Sequence, residues 1–306
     1  MEHYQLNGTP SLLVLDGENG RILAFTPEGR LLGTLLDDCG GTPDGIAVDH
    51  LRGHIYWTNM GEDYDQDDGF IERVDLDGGN RTMIIPPGKT FTPKQLKIDE
   101  VNGLLYWCDR EGMRIMRAAL DGTGITTLLI TGRTEEDRLD ETLHCVGIAV
   151  DLPNNYLYWT QKGPSDGGQG RIFRAPLNPA GNYVPDHRKD IELLFDHLPE
   201  PIDLDLDLLA GHLYWTDRGA PPEGNSVNRA DLKGHAPLKK ELLLNGLQEA
   251  IGLSLDVKNS RMYFCDLGGN IYCSRIGSQT RCQLHQGDGR FTGLVYYDPE
   301  HLSPQQ

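Results

Sequence analysis

Gly211-His212-Leu213-Tyr214-Trp215-Thr216-Asp217 decides the reading of this chain. Leu213 and Trp215 alternate with more polar neighbours, which predicts a β-strand. The stretch has copies: Gly53-His54-Ile55-Tyr56-Trp57-Thr58-Asn59, Gly103-Leu104-Leu105-Tyr106-Trp107-Cys108-Asp109, Asn155-Tyr156-Leu157-Tyr158-Trp159-Thr160-Gln161 and Ser260-Arg261-Met262-Tyr263-Phe264-Cys265-Asp266. Trp57, Trp107, Trp159, Trp215 and Phe264 follow one another at 50, 52, 56 and 49 residues. A period of that length points to propeller blades or another repeat array.

Three further units accompany each copy. In front stands a run ending in aspartate, such as Gly45-Ile46-Ala47-Val48-Asp49 or Gly147-Ile148-Ala149-Val150-Asp151. Behind stand a third run, such as Ile71-Glu72-Arg73-Val74-Asp75-Leu76, and in most units a short apolar fourth, such as Met83-Ile84-Ile85. Four short strands per repeat is the content of a propeller blade.

On these residues the chain resembles the YWTD six-bladed β-propellers, best known from the low-density lipoprotein receptor group. Tyr214-Trp215-Thr216-Asp217 is the full motif and the other copies are variants. The resemblance covers nearly the whole chain. It implies an all-β, six-bladed propeller with four antiparallel strands per blade, while one scaffold hosts unrelated chemistries.

Ser11 to Asp16, Arg21 to Thr26 and Leu31 to Leu36 form a blade lacking its first strand, and Phe291-Thr292-Gly293-Leu294-Val295-Tyr296-Tyr297 supplies such a strand with nothing after it. We therefore expect the C-terminal strand to close the first blade, which removes exposed sheet edges. One domain results. Its composite blade is 11–36 plus 290–297, and the other blades span about 43–86, 93–130, 145–195, 201–244 and 250–285.

The 306 residues carry a net charge of −18, which argues against a nucleic-acid surface or an anionic lipid surface. No apolar stretch approaches the ~18 residues needed to span a bilayer. Met1-Glu2-His3-Tyr4 shows no basic region and no apolar segment of a signal peptide, so a cytoplasmic protein is expected. The six cysteines have no zinc spacing. Cys108 and Cys265 stand at the threonine position of the motif and read as buried fillers. Cys273 and Cys282 flank a hairpin turn and face each other, either as a disulfide or as two reduced thiols. Asp49, Asp99, Asp151, Asp207 and Asp256 read as turn-forming residues.

Function is expected at the rim where the innermost strands begin, because loops on a rigid scaffold carry function. Aligning the repeats places Thr42 and Asp44, Thr92 and Lys94, His144 and Val146, Glu200 and Ile202, Glu249 and Ile251, and Arg290 and Thr292 at the channel mouth. Lys94, His144, Glu200, Glu249 and Arg290 are the candidate catalytic residues, and Asp44, Thr92, Ile202, Ile251 and Thr292 are candidate ligand contacts. This ring does not repeat itself, which suits one asymmetric ligand. A layer deeper, Gln95, Lys97, Asp203 and Asp205 interrupt otherwise small residues, and buried charges must pair or stay wet. We expect Lys97 to meet Asp205 or Asp203, with Gln95, Lys97 and Asp205 under the ligand.

The loop Asn59 to Gly69 is acidic. Asp63-x-Asp65-x-Asp67 resembles the start of a calcium loop but lacks glycine at the sixth position and glutamate at the twelfth. An acidic lid with Tyr64 pointing inward is the preferred reading, with no cofactor and no metal required, calcium or magnesium in the channel being the alternative. No nucleophile elbow, phosphate loop, dinucleotide fingerprint or His-Glu-x-x-His appears.

Two function classes follow. One is an enzyme acting on a small molecule at the channel mouth. The architecture is similar to fungal hetero-Diels–Alderases of tropolonic sesquiterpenoid pathways, a resemblance of fold alone. It is also similar to metal-dependent lactonases, whose ligand asparagine has no counterpart among the aligned mouth positions. The other class is a propeller binding a protein partner on the same rim, as the receptor resemblance implies.

Overall fold

The computed structural model describes residues 4–6, 8–179, 181, 183–234 and 237–300. Its strands form six four-stranded antiparallel sheets. The innermost strands are Pro43–Asp49, Pro93–Asp99, Cys145–Asp151, Pro201–Asp207, Ala250–Asp256 and Phe291–Tyr297. Each packs against the next, and Phe291–Tyr297 packs against Pro43–Asp49 to complete the ring. The same C-terminal strand pairs with Ser11–Asp16, placing Leu12 opposite Tyr296 and Val14 opposite Leu294. Strand exchange between the two chain ends thus closes the first blade, as expected.

The period of two along a strand explains the Tyr-Trp pair. Successive side chains point to opposite faces, so Tyr56 packs into the layer with Trp107 while Trp57 packs into the layer with Leu13, Leu15 and Ile22. The same alternation puts Tyr158 with Trp215, and Tyr214 with Phe264. The four gaps from the second blade to the sixth are therefore each filled by a tyrosine from one side and a tryptophan or phenylalanine from the other, while the first blade offers Leu13 and Val14 at these positions. The inner-strand residues Ile46, Leu96, Ile148, Leu204 and Leu253 are buried in these layers.

The threonine of the motif joins neighbouring blades. Thr216 Oγ1 accepts from Asp203 N at 3.1 Å and donates to Ile251 O of the next blade at 2.5 Å. Thr58 and Thr160 repeat the arrangement with Lys94 O and Ile202 O. Cys108, at the same position, is buried and donates weakly to Gly147 O at 3.3 Å. This tight approach also explains the small inner-strand residues. A Cβ on Gly147 would lie 1.9 Å from Ile202 O. Thr216→Val is expected to destabilise by about 1–3 kcal/mol, since it leaves a buried amide and a buried carbonyl unpaired. Urea unfolding measures the loss, and a change within experimental error would remove the staple role.

Each terminal aspartate closes its turn. Asp49, Asp99, Asp151, Asp207 and Asp256 all accept from the backbone N–H three residues on. Cys273 lies opposite Cys282 across the outer hairpin of the sixth blade, and both thiols are free. No helix among the described residues is long and apolar enough to cross a membrane.

Candidate functional site

The motif's last residue builds the mouth. Asp217 Oδ1 accepts from Glu200 N at 2.9 Å and Gly219 N at 3.1 Å, while Asp109 accepts from Phe91 N and Thr92 N. These bonds pin the segment entering each inner strand to the end of the second strand. Burial raises the Asp217 carboxyl to about 7, and its Oδ2 has no partner among the described residues. Its folded-state value lies above the ordinary one, so its contribution to stability is complete below pH ~4 and is lost as pH rises through about 7. Asn59 fills the equivalent position in the second blade, with its amide donating to Cys39 O and Gly40 O. Asp217→Asn is accordingly expected to gain stability relative to the parent between pH 4 and 7, by on the order of 2 kcal/mol. Thermal unfolding across that range checks it, and parallel pH profiles would contradict it.

The second residues of the inner strands form the floor, which has two unlike halves. Val146, Ile202 and Ile251 pack together with Leu267 from the fourth, fifth and sixth blades. Asp44, Lys94 and Thr292 occupy the same register on the other three. Lys94 Nζ donates to Asp44 Oδ2, Gln95 Nε2 donates to Asp44 Oδ1 at 3.1 Å, and Gln95 Nε2 also reaches Thr292 O at 3.3 Å. Thr292 Oγ1 donates to Pro43 O. Burial lowers the Lys94 ammonium, with Asp44 opposing that effect and Arg110 and Arg218 reinforcing it.

Above the floor stand two ion-pair groups. Arg110 Nε donates to Glu111 Oε1 at 2.5 Å, and Thr92 Oγ1 donates to Glu111 Oε2. The Arg110 guanidinium lies 4.9 Å from the Tyr64 ring centre, and Tyr64 Oη donates to Thr42 Oγ1 at 3.4 Å. Tyr64 thus reaches from the acidic loop to Thr42 and Arg110 while staying exposed. Within the loop Asp63 accepts from Asp65 N and Asp68 from Glu62 N, and Glu62 ties the loop to the preceding segment by accepting from Gly41 N. Among the described residues no group of three or more His, Cys, Asp or Glu is placed to hold a metal ion. In the second group, Glu200 Oε1 accepts from Arg218 Nε at 2.8 Å and lies 3.5 Å from Lys162 Nζ. Lys162 also donates to Glu141 at 2.6 Å.

His144 is placed by the connection between the third and fourth blades. Thr134-Glu135-Glu136-Asp137 is a capping box, with Thr134 Oγ1 accepting from Asp137 N and Asp137 Oδ2 accepting from Thr134 N. It starts the short helix Glu135–Arg138, whose Arg138 guanidinium lies 4.0 Å from the Phe91 ring centre and donates to Glu111 O. His144 Nε2 lies 2.9 Å from Arg138 O. A carbonyl only accepts, so Nε2 carries the proton and Nδ1 presents its lone pair. Burial lowers the imidazole's pKa, Glu111 raises it, and Arg110 and Lys162 lower it further, so the ring is neutral at pH 7.

Of the expected catalytic residues, Lys94, His144 and Glu200 are buried around this mouth, with Asp44, Thr92, Gln95, Ile202, Ile251 and Thr292. Glu249 and Arg290 stand outside that group. The Glu249 side chain is 53% exposed and 3.9 Å from Arg218, and Arg290 is exposed. Lys97 lies 3.9 Å from Asp205, as expected. Both line a cleft with Asp99, Leu152 and Leu208, where the inner strands end rather than where they begin, so that cleft lies at the opposite opening. The alignment passed over Arg110, Glu111, Lys162 and Arg218. Their signal is legible in retrospect: Arg110, Lys162 and Arg218 each follow the last residue of the second strand on three consecutive blades.

This geometry defines a closed six-bladed propeller with an asymmetric mouth, and the comparisons place it among relatives. The chain belongs to the low-density-lipoprotein-receptor-type YWTD propeller family. It is 45% identical over 288 residues to a Pyricularia oryzae protein named low-density lipoprotein receptor-related protein 1, covering 90% of this chain and 92% of that one. It is 40% identical over 307 residues to the 3-hydroxyacyl-CoA dehydrogenase-like protein LAM1 of Cochliobolus heterostrophus, and the match spans 64% of that longer protein. Among solved structures, a chain of a nidogen/laminin complex superimposes with a TM-score of 0.73 at 20% identity, over 94% of this chain and 98% of that one, a likeness of fold. No family model matches the sequence.

Proposed function

We propose that the channel mouth is the active site of a small-molecule enzyme, and that its reaction is a hetero-Diels–Alder cyclisation joining a quinone-methide heterodiene to a terpene alkene. The observation that carries this reading is the two-sided floor: an apolar half from Val146, Ile202 and Ile251 faces a hydrogen-bonding half from Lys94, Asp44 and Thr292. Such a floor orients a substrate with an apolar body and an oxygen at one end. Perturbed, buried titratable groups in one opening are a further mark of a site.

Each residue has a role in this scheme. Lys94 keeps N–H donors beyond the one given to Asp44 and polarises the diene carbonyl. His144 Nδ1 takes the phenolic proton of the hydroxymethyl precursor. The resulting imidazolium hands that proton to the departing hydroxide, so water leaves and His144 returns to neutrality. The cycloaddition then forms its two σ bonds without a nucleophile, and its acceleration comes from orientation. The reading needs no dinucleotide, and the chain has no glycine fingerprint for one.

Incubating purified protein with such a precursor and analysing products on a chiral column tests it. One enantiomer formed faster than in buffer is expected, and His144→Asn is expected to lower kcat by ~10²-fold or more. A racemic product at the uncatalysed rate contradicts it. A protein partner on the same rim is the second reading, favoured by the receptor-related name of the Pyricularia relative and by Tyr64, which stands exposed at the opening.

A further inference from the structure

We propose a second ligand site at the opposite opening of the channel, taking a neutral alicyclic molecule that carries one carbonyl or hydroxyl oxygen. Two clefts meet there. The inner one, about 150 Å³, is lined by Lys97, Ile98, Val150, Leu152, Leu206 and Leu208 among others. The outer one, about 370 Å³, lies between the third and fourth blades and includes Asn102, Leu104, Tyr106 and Leu177. They share Asp99 and Leu152, so they form one groove running outward from the channel axis. An apolar cavity of about 150 Å³ accommodates a benzene-sized ring, and the two clefts together fall in the roughly 300–1,000 Å³ range of small-molecule sites.

The polar groups in the groove select the ligand's chemistry by what they have left to offer. Asp99 is spent on Asn102, accepting from its backbone N–H at 3.0 Å and its amide at 2.7 Å. Asn178 is spent on Arg117 and Asn155. Asp205 Oδ2 accepts from Leu255 N at 2.8 Å, and Asp203 accepts from Leu204 N and Leu253 N. Lys97 differs. Its only carboxylate contact among the described residues is Asp205 Oδ1 at 3.9 Å, beyond hydrogen-bond reach. Its N–H donors remain available, and its side chain is partly exposed to the cleft.

The charges then decide between ligand classes. A carboxylate reaching Lys97 would also meet Asp203 and Asp205, and an amine would meet the Lys97 ammonium itself. A neutral oxygen accepts a hydrogen bond from Lys97 without either conflict. The walls Ile98, Ala149, Val150, Leu152, Leu206 and Leu208 supply the apolar contact for the ring that carries it.

The test uses one ring with three headgroups: cyclohexanone, cyclohexanecarboxylate and cyclohexylamine, titrated into the methyl-labelled protein and followed by carbon–proton spectra. The ketone is expected to shift the methyls of Val150, Leu152, Leu206 and Leu208 and to bind at least fivefold tighter than the acid or the amine. Lys97→Met is expected to weaken the ketone at least fivefold. Leu208→Trp, which plugs the groove from an exposed position and leaves the ion pair intact, is expected to abolish those shifts. Equal binding of the three probes, indifference to both variants, or no movement of the four methyls would overturn the proposal. Ketone shifts confined to Val146, Ile202 and Ile251 would also overturn it while favouring the mouth as the ligand site, so the two readings fail separately.

Discussion

Trp215→Ala is expected to lower the free energy of unfolding by about 3–5 kcal/mol, the range for deleting a fully buried large side chain. Trp215 is fully buried in the layer between the fourth and fifth blades, with Tyr158, Ile172, Leu204 and Phe195, whose ring centre lies 5.1 Å away. Its indole N–H has no hydrogen-bond partner among the described residues, so the loss is one of packing and cavity formation. Trp215→Phe is expected to cost much less. Phe264 already performs the same task in the sixth blade, stacked on Tyr272 at 5.4 Å. Urea unfolding of both variants measures the difference. An alanine variant within about 1 kcal/mol of the parent would mean that the layer collapses onto the gap, contrary to the tight packing of such interiors.

Lys94→Met is the second large effect, and it links stability to the proposed chemistry. Removing the ammonium leaves the Asp44 carboxylate buried with the Gln95 amide as its remaining side-chain hydrogen-bond partner among the described residues. Breaking a buried pair from one side costs about 3–5 kcal/mol, because an uncompensated charge stays inside. The double variant Lys94→Met with Asp44→Leu is expected to recover most of that loss, since apolar replacement of a whole buried pair is often neutral. Product formation is expected to fail in both. A single variant as stable as the parent would contradict the paired geometry. A double variant that is stable and fully active would show that Lys94 takes no part in the reaction.

The fold was legible because it is written five times. Period-two alternation, the aromatic pair and the terminal aspartate recur at one spacing, and the unpaired strand at each end announced the closure. The site was legible only in part. Register alone placed Lys94, Glu200 and Asp44 at one opening, since an inner strand fixes which residue stands where. It could not tell that Glu249 and Arg290 stay exposed to solvent. Glu249 adopts a left-handed backbone with φ of 56°, a local choice with no signature at the level of repeats. Arg110, Lys162 and Arg218 each directly follow a quoted copy of the motif and were missed because the alignment was read only where the inner strands begin. The capping box at Thr134, which sets Arg138 and through it His144, lies in a connection between blades that repeat alignment skips.

Unlike groups at one opening act on each other around a neutral imidazole. Long-range proton–nitrogen spectra of the histidine rings across pH 4 to 9 test that most directly. His144 is expected to titrate below the ordinary histidine value of 6.5, with the proton on Nε2 in its neutral form, and its midpoint to move in Arg110→Gln. A His144 that titrates at or above 6.5 and ignores Arg110 would contradict the assembled site.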